Sequence, residues 1–429
     1  NGYSVPDMQK ETLAKILQKD LDGDLEDEMD DPGRYAGRVP DNVHRVLSIR
    51  QLIGSASIKK LARMQACVCE DGRVRGSLQY HGTGPGRSAG RLLQPHNFPR
   101  GSKQMEGHDP DEAVAAIMTG DPDYVEAVYG VGAVEVVLSS LRHAIVPDPG
   151  RVLLAGDYAG IQARTVLAVA GQHDKAALMA AGADIYCDMA SSIYKRPIAK
   201  KDTTERQTGK NSVLGLGFQM GAPKFQFKYA QDFPLKDVEG HPEIMSCQRI
   251  VDTYRKEWAP MVPKLWYGLQ EAAVDAVWEK RPKQAYGVEY MLEDGWLTAR
   301  LPSGRKLWYF NPTPIRKAMP WDETDVRRAF TYQAMKMGQL RTIDAFGGQL
   351  TENVVMGIER DLMTNAMILC ERNGFPICLE VHDEIVSEPL IADADEKAFQ
   401  QIMEDVPSWV RELQIPVKVE TWCDTRYKK

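Results

Sequence analysis

Apolar residues recur along this chain in two periods. Met8, Leu13, Ile16 and Leu17 fall at helical spacing and predict a helix over residues 5–20, and residues 40–68 read as helical again. Asp71-Gly72 reads as a turn between short strands, with Val74 and Leu78 in the second. The run Arg151-Val152-Leu153-Leu154-Ala155-Gly156-Asp157 is a short buried strand that ends in an acid. Helices are expected from Ile161 to Ala170, Thr204 to Gln219, Pro242 to Tyr254 and Trp258 to Trp278, and a long one over 349–372 that stops near Asn373-Gly374. Trp296 to Phe310 reads as a hairpin turning at Pro302-Ser303-Gly304. A second hairpin, Ile377–Val381 and Ile385–Ser387, carries His382-Asp383-Glu384 between its strands. Strands and helices mixed in this order predict an α/β fold.

Composition adds bounds. With 429 residues, 43% apolar and 26% charged, the chain is an ordinary globular one of two to four domains or subdomains. It has no apolar run of membrane-spanning length, no internal repeat and no low-complexity tract. Its start, Asn1-Gly2-Tyr3-Ser4, has neither an initiator Met nor the layout of a signal peptide, which suggests a piece cut from a longer chain. The seven Cys are sparse and lack zinc spacing, so reduced thiols in a cytoplasmic setting are expected.

The net charge of −7 argues against a polyanionic partner until its distribution is read. Asp20 to Asp31 holds eight acids and no base, which leaves the rest of the chain at +1. That run resembles a calcium loop only loosely, with Leu25 where Gly is required and Asp31 where Glu is, and reads as a solvated linker. Lys195 to Lys228 carries eight Lys or Arg against Asp202 and Glu205, and Gly82 to Arg100 carries Arg87, Arg91 and Arg100 with no acid. Such local basic stripes are the footprint of a phosphate-binding surface.

Four constellations could carry chemistry. Asp157 closes a buried strand, and Asp383 with Glu384 occupies the tip of an apolar hairpin. An acid there is costly unless paired or bound to a cation. Brought together, two such acids make a hard-oxygen Mg²⁺ site; taken singly, each is equally a cap or turn residue. Arg206, Lys210, Leu214 and Phe218 step by four along one slowly turning helix face. Two cations one turn apart can grip a triphosphate, and the ring beyond can stack on a base. Gly209, Gly215, Gly217 and Gly221 weaken that helix, a cost easier to understand if something approaches its backbone closely. The alternative is a solvated basic face. Finally, Thr83 to Arg91 and Gln94 to Arg100 form a glycine-rich basic stretch whose amides can meet phosphates or groove edges, or else a plain surface loop.

In this order the motifs resemble the polymerase region of the family A (DNA polymerase I) enzymes, and their phage members most. The family's D-Y-S-Q-I-E-L-R corresponds to Asp157-Tyr158-Ala159-Gly160-Ile161-Gln162-Ala163-Arg164. Its R-x-x-x-K-x-x-x-[FYL]-G-x-x-Y-G is filled by Arg206, Lys210, Leu214, Gly215 and Phe218, and its V-H-D-E by Val381-His382-Asp383-Glu384. The upstream T-G-R…Q-x-x-N-x-P-R matches Arg87, Gln94, Asn97, Pro99 and Arg100, and Leu301 to Arg305 and Glu352-Asn353 look phage-like.

The resemblance implies a template-directed DNA polymerase that extends a primer with dNTPs, in phage replication within a bacterial cytoplasm. Asp157, Asp383 and the Tyr158 carbonyl would hold two Mg²⁺ ions, with Mn²⁺ able to substitute, and Glu384 would support them. Arg206 and Lys210 would bind the triphosphate, with Lys210 the proton donor to pyrophosphate. Leu214, Phe218, Gln162 and Tyr186 would line the nucleotide pocket. Arg87, Gln94, Asn97, Arg305 and His382 would contact primer–template DNA. The family's sugar-gate Glu is Gln162 here, its stacking Tyr is Phe218, a His of bacterial relatives is Tyr186, and a Gln in the long helix is Met356. These departures suggest a pocket tolerant of an altered nucleotide or minor groove. The implied architecture is a right hand: thumb 1–80, palm 81–180 and 345–429 on an antiparallel sheet, helical fingers 181–344, acting as a monomer with no exonuclease segment in this sequence and no membrane contact. The rival readings are a single-subunit RNA polymerase, which Gln162 favours slightly, a non-catalytic DNA-binding subunit, and a generic Mg²⁺ hydrolase.

Overall fold

The computed structural model describes residues 42–47, 59–99, 101–230, 243–319, 322–336 and 338–428. The helix expected over 5–20, the acidic run Asp20–Asp31 and Arg100 lie outside the described residues. Within 40–68, residues 42–47 and α1 (Lys59–Cys67) are helical. The described chain divides into two compact units. One comprises the residues up to Leu78, Gly90–Val146 and the C-terminal residues from Arg426; the other comprises Gln79–Ala89 and Pro147–Thr425.

In the first unit α2 (Pro110–Met118), α3 (Pro122–Tyr129) and α4 (Ala133–Ser140) follow one another. α2 and α3 begin on the same device. Asp109 and Asp121 accept hydrogen bonds from the first free backbone N–H groups, and Pro fills the first helical position, where no N–H is needed. Ala113, Val125, Tyr129 and Val136 form one small core, and Leu93, Phe98 and Leu141 another.

The second unit runs β1 (Leu153–Tyr158), α5 (Ile161–Val169), α6 (His173–Ala180), α7 (Ile185–Tyr194), α8 (Thr203–Leu216), α9 (Glu243–Asp252) and α10 (Met261–Glu279). Strands β2 (Lys283–Ala285), β3 (Val288–Glu293), β4 (Trp296–Arg300), β5 (Lys306–Met319), β6 (Asp322–Lys336) and β7 (Gln339–Asp344) come next. The chain then continues through α11 (Gly347–Arg372), β8 (Ile377–Val381), β9 (Glu384–Ser387), α12 (Glu396–Glu404), α13 (Ser408–Glu412) and β10 (Val419–Asp424). Strands β8, β9, β1 and β10 form one antiparallel sheet in that order, and β2 to β7 a six-stranded meander.

One apolar core joins these elements, with Trp258, Trp266, Tyr254, Tyr290 and Phe330 its largest buried side chains. The buried indoles find acceptors: Trp266 Nε1 donates to the Gly217 carbonyl at 2.6 Å and Trp258 Nε1 to Asp188 Oδ2 at 2.6 Å. Gly156 lets α12 cross β1, because a Cβ there would lie 2.4 Å from Met403 Sδ.

Within 181–344 the helices end at Glu279, and a sheet follows. The sequence pattern marks only the part of it around 296–310. In β5 and β6 solvent-facing charges, Pro312, Pro314 and a register shift between Phe310 and Thr313 break the two-residue alternation that would announce a strand. The helix expected from Thr204 to Gln219 stops at Leu216, and Gln219 turns to φ 66°.

Candidate active site

The central strand β1 delivers Asp157. In register it faces Glu384 of β9 on one side and Glu420 of β10 on the other, so the three side chains share one face of the sheet. β8 and β9 are joined by the two-residue turn His382-Asp383, with Val381 paired to Glu384. His382 takes φ 56°, the positive value that a tight hairpin demands at this position. The Asp383 carbonyl then accepts the Tyr158 N–H at 3.1 Å, which seats the tip of the hairpin beside the end of β1. Asp157 and Asp383, distant in sequence, are thereby neighbours, and both are partly exposed. Glu384 is 0% exposed and accepts a hydrogen bond from Trp422 Nε1 at 3.2 Å.

The Asp383 carboxylate has a basic partner. Arg87 Nη2 donates to Asp383 Oδ1 at 3.1 Å and also to Glu359 Oε2. Glu359 lies in the middle of α11 and is 5% exposed. Burial pushes its carboxyl up to about 8, against the pull of the Arg87 guanidinium and with the charge of Asp383 adding to the rise. Sequence reasoning missed Glu359. The available signal is an acid at helical spacing among Val355, Ile358 and Leu362, on the apolar stripe of a long helix.

The loop carrying Arg87 is braced from the same helix. Arg305 donates from Nε to Asp361 and from Nη2 to the carbonyls of Pro85 at 2.8 Å and Gly357 at 3.0 Å. Gly86 takes φ 96°, and a Cβ there would lie 2.5 Å from Arg305 Nη1. Arg305 is therefore engaged within the protein.

On α8 Arg206, Lys210 and Leu214 are partly exposed, while Thr208, Ser212, Val213 and Leu216 are buried; Phe218, expected on the same helix face, lies just past the helix end and is partly exposed. Arg206 Nε donates to Asp184 Oδ2 at 2.8 Å, and its guanidinium lies over the Tyr186 ring, 5.4 Å from the centroid. Asp184 also caps α7 by accepting from the N–H groups of Tyr186 and Cys187. Burial raises the Asp184 pKa, but the Arg206 bond and these N–H groups outweigh it and hold the carboxyl below the usual range. The glycines of α8 have a packing reason. A Cβ at Gly209 would lie 2.1 Å from the Tyr186 carbonyl oxygen, and one at Gly215 2.8 Å from the Tyr229 ring. The close approach is by the protein itself.

The remaining expected residues divide. Gln162 is half-buried in the first turn of α5, and His382 is exposed. The Tyr158 side chain is buried, its hydroxyl donating to the Met403 carbonyl at 2.8 Å, which leaves only its main-chain carbonyl as a prospective ligand. Gln94 and Asn97 belong to the first unit, where Asn97 Nδ2 donates to Gln94 Oε1 at 3.1 Å.

Among the described residues no group of three His, Cys, Asp or Glu is arranged to hold a metal. Asp157 and Asp383 form a two-carboxylate oxygen set. That suits Mg²⁺, which takes one or two carboxylates and completes its shell with substrate phosphates and water. No described helix is long and apolar enough to cross a membrane.

An antiparallel sheet carrying paired acids, and a helix presenting Arg206 and Lys210, are parts expected of a right-hand polymerase. Among solved structures the chain is similar to the one described as "POL domain of Pol1 from M. smegmatis complex with DNA primer-template and dNTP". The TM-score is 0.57 at 14% identity, over 98% of this chain and 63% of that one. Among curated proteins it is 32% identical over 395 residues to a DNA polymerase of Bacillus phage SP02. That match covers 91% of this chain and 58% of the phage protein, so the chain matches somewhat over half of that relative's length. A scan against protein-family models finds no match. The fold is the right-hand polymerase fold of the DNA polymerase I type. In sequence the chain is similar to that phage DNA polymerase, and in fold to that polymerase domain.

Proposed function

We propose that the chain is the polymerase region of a template-directed DNA polymerase that adds dNTPs to a primer 3′-end, as a monomer, in the cytoplasm of a phage-infected bacterium. The observation that carries this reading is the meeting of Asp157 and Asp383 at the adjoining ends of β1 and the β8–β9 hairpin. The phage relative and the α8 face support it.

In this reading Asp157, Asp383 and the Tyr158 carbonyl hold Mg²⁺. When bound there, Mg²⁺ supplies Lewis acidity to the primer 3′-hydroxyl and to the departing pyrophosphate. Glu384, buried and bonded to Trp422, keeps the hairpin strand in place behind Asp383. Arg206 and Lys210 bind the triphosphate oxygens, and Lys210 gives a proton to pyrophosphate. Phe218 stacks on the new base pair, Leu214 and Tyr186 wall the pocket, and Gln162 faces the sugar. In the second unit Arg87 and His382 contact primer–template DNA, with Arg305 bracing the Arg87 loop; Gln94 and Asn97 of the first unit are DNA contacts in their own right. Minor-groove acceptors differ little between base pairs, so contacts made there allow any template to be copied.

Primer extension with Mg²⁺ tests the reading, using dNTPs or rNTPs and comparing the native chain with Asp383→Ala. Extension with dNTPs that the variant loses is the expected result. DNA binding without extension in any lane would overturn it in favour of a non-catalytic binder. Extension with rNTPs alone would make the chain an RNA polymerase.

A further inference from the structure

We infer that Glu359 is a positioning residue for Arg87, holding the guanidinium at the Asp383 carboxylate so that its Nε and Nη1 N–H groups face the primer terminus. The primer part of this inference rests on the polymerase reading above; the anchoring part does not. Glu359 is 5% exposed in the middle of α11, and Arg87 is the cation bonded to it. Arg87 itself is 24% exposed at its side chain, so its head stands at the boundary between core and solvent. Both carboxylates, Glu359 and Asp383, take their bonds from the same nitrogen, Nη2. Among the described residues Nε and Nη1 make no further bond, which leaves their N–H groups for a ligand.

A pair that served stability alone would be expected to satisfy its buried atoms. Here Glu359 Oε1 is buried and, among the described residues, has no hydrogen-bond partner. Such a group takes a bound water or ion, or serves a purpose other than packing. The backbone before Arg87 is already fixed, because Arg305 holds the Pro85 carbonyl and closes over Gly86. What the loop does not fix is the long Arg87 side chain, whose rotamer freedom would otherwise scatter its head. Glu359 supplies that restraint from a rigid helix. It touches no reacting atom in this arrangement and acts through Arg87.

The test uses Glu359→Met, Glu359→Gln and Arg87→Lys in the intact chain, with two readouts. The first needs no DNA: the resonance of the bonded Arg87 Nη2–H protons, assigned by its loss in Arg87→Lys. It should be sharp and slowly exchanging in the native chain and in Glu359→Gln, which keeps an acceptor, and lost to fast exchange in Glu359→Met. The second is affinity for a primer–template duplex without nucleotide. Glu359→Met should weaken it about tenfold, the loss of one charge-assisted bond, and leave KM for dNTP within about twofold. In the Arg87→Lys background the same substitution should cost nothing more, since the two residues act as one unit. If Glu359→Met does not fold, Glu359→Gln serves, with an expected loss of about threefold that again requires Arg87. An Arg87 resonance indifferent to Glu359, or an affinity loss of equal size with and without Arg87, would overturn the inference. Failure of the native chain to bind primer–template while Glu359 still governs the Arg87 resonance would sink the polymerase reading and the primer part, and would uphold the anchoring.

Discussion

His382 keeps a φ of 56° although it carries a Cβ, a conformation that costs an ordinary residue about 1–2 kcal/mol. The cost follows from geometry: a two-residue hairpin between Val381 and Glu384 needs a positive φ at its first central position, whatever the side chain. His382→Asn, which tolerates this region, should leave the melting temperature near native. His382→Val should lower stability by about 1–2 kcal/mol, read by thermal melting. A second residue-scale case is Asp184. Its folded pKa is held below the ordinary value by Arg206 and two N–H groups despite burial. Its charge therefore adds stability that is complete above the unfolded value of about 3.9 and fades as pH falls through the folded one. Asp184→Asn still caps α7 but lacks that charge. Its deficit in melting temperature against the native chain should be constant at neutral pH and shrink below about pH 4.

At the scale of elements, α8 packs most closely at its glycines. Gly209 meets the Tyr186 carbonyl of α7, and Gly348, in the first turn of α11, meets the Phe218 carbonyl just past the end of α8. A backbone carbonyl cannot be pushed aside as a flexible side chain can. Gly209→Ala should therefore destabilise by about 1–3 kcal/mol, although Ala is the better helix former, with the loss read from denaturant melts. Gly348 also donates its N–H to Gln219 Oε1 at 2.8 Å, tying the turn after α8 to the helix that carries Glu359. The propensity cost of these glycines was legible in the sequence. Its cause was not, because propensity reports that something approaches the backbone and not what it is.

At the scale of the whole molecule, packing sorts the thiols. Cys187, Cys247 and Cys370 are buried, and burial pushes the Cys370 thiol up to about 12, while Cys69 and Cys378 are exposed. A native titration with a thiol reagent near pH 8 should label Cys69 and Cys378 first. The three buried thiols should react only when denaturant is added, as peptide mapping would show. The division into two units is likewise a property of the whole chain: Gln79–Ala89 belongs with a unit that otherwise begins at Pro147. By itself the sequence determined α5, α8, α9, α10 and α11, the β8–β9 hairpin, the face shared by Arg206, Lys210 and Leu214, and the order of motifs from which the polymerase fold was read. Those features depend on local periodicity and short spacing, which the chain carries in every stretch. Only the tertiary structure decided that Arg87 bridges Glu359 and Asp383, that Arg305 braces the Pro85 loop, and that the meander runs on to Asp344. Such pairings are made by residues far apart in the chain, and they exist only once the core has set the path between them.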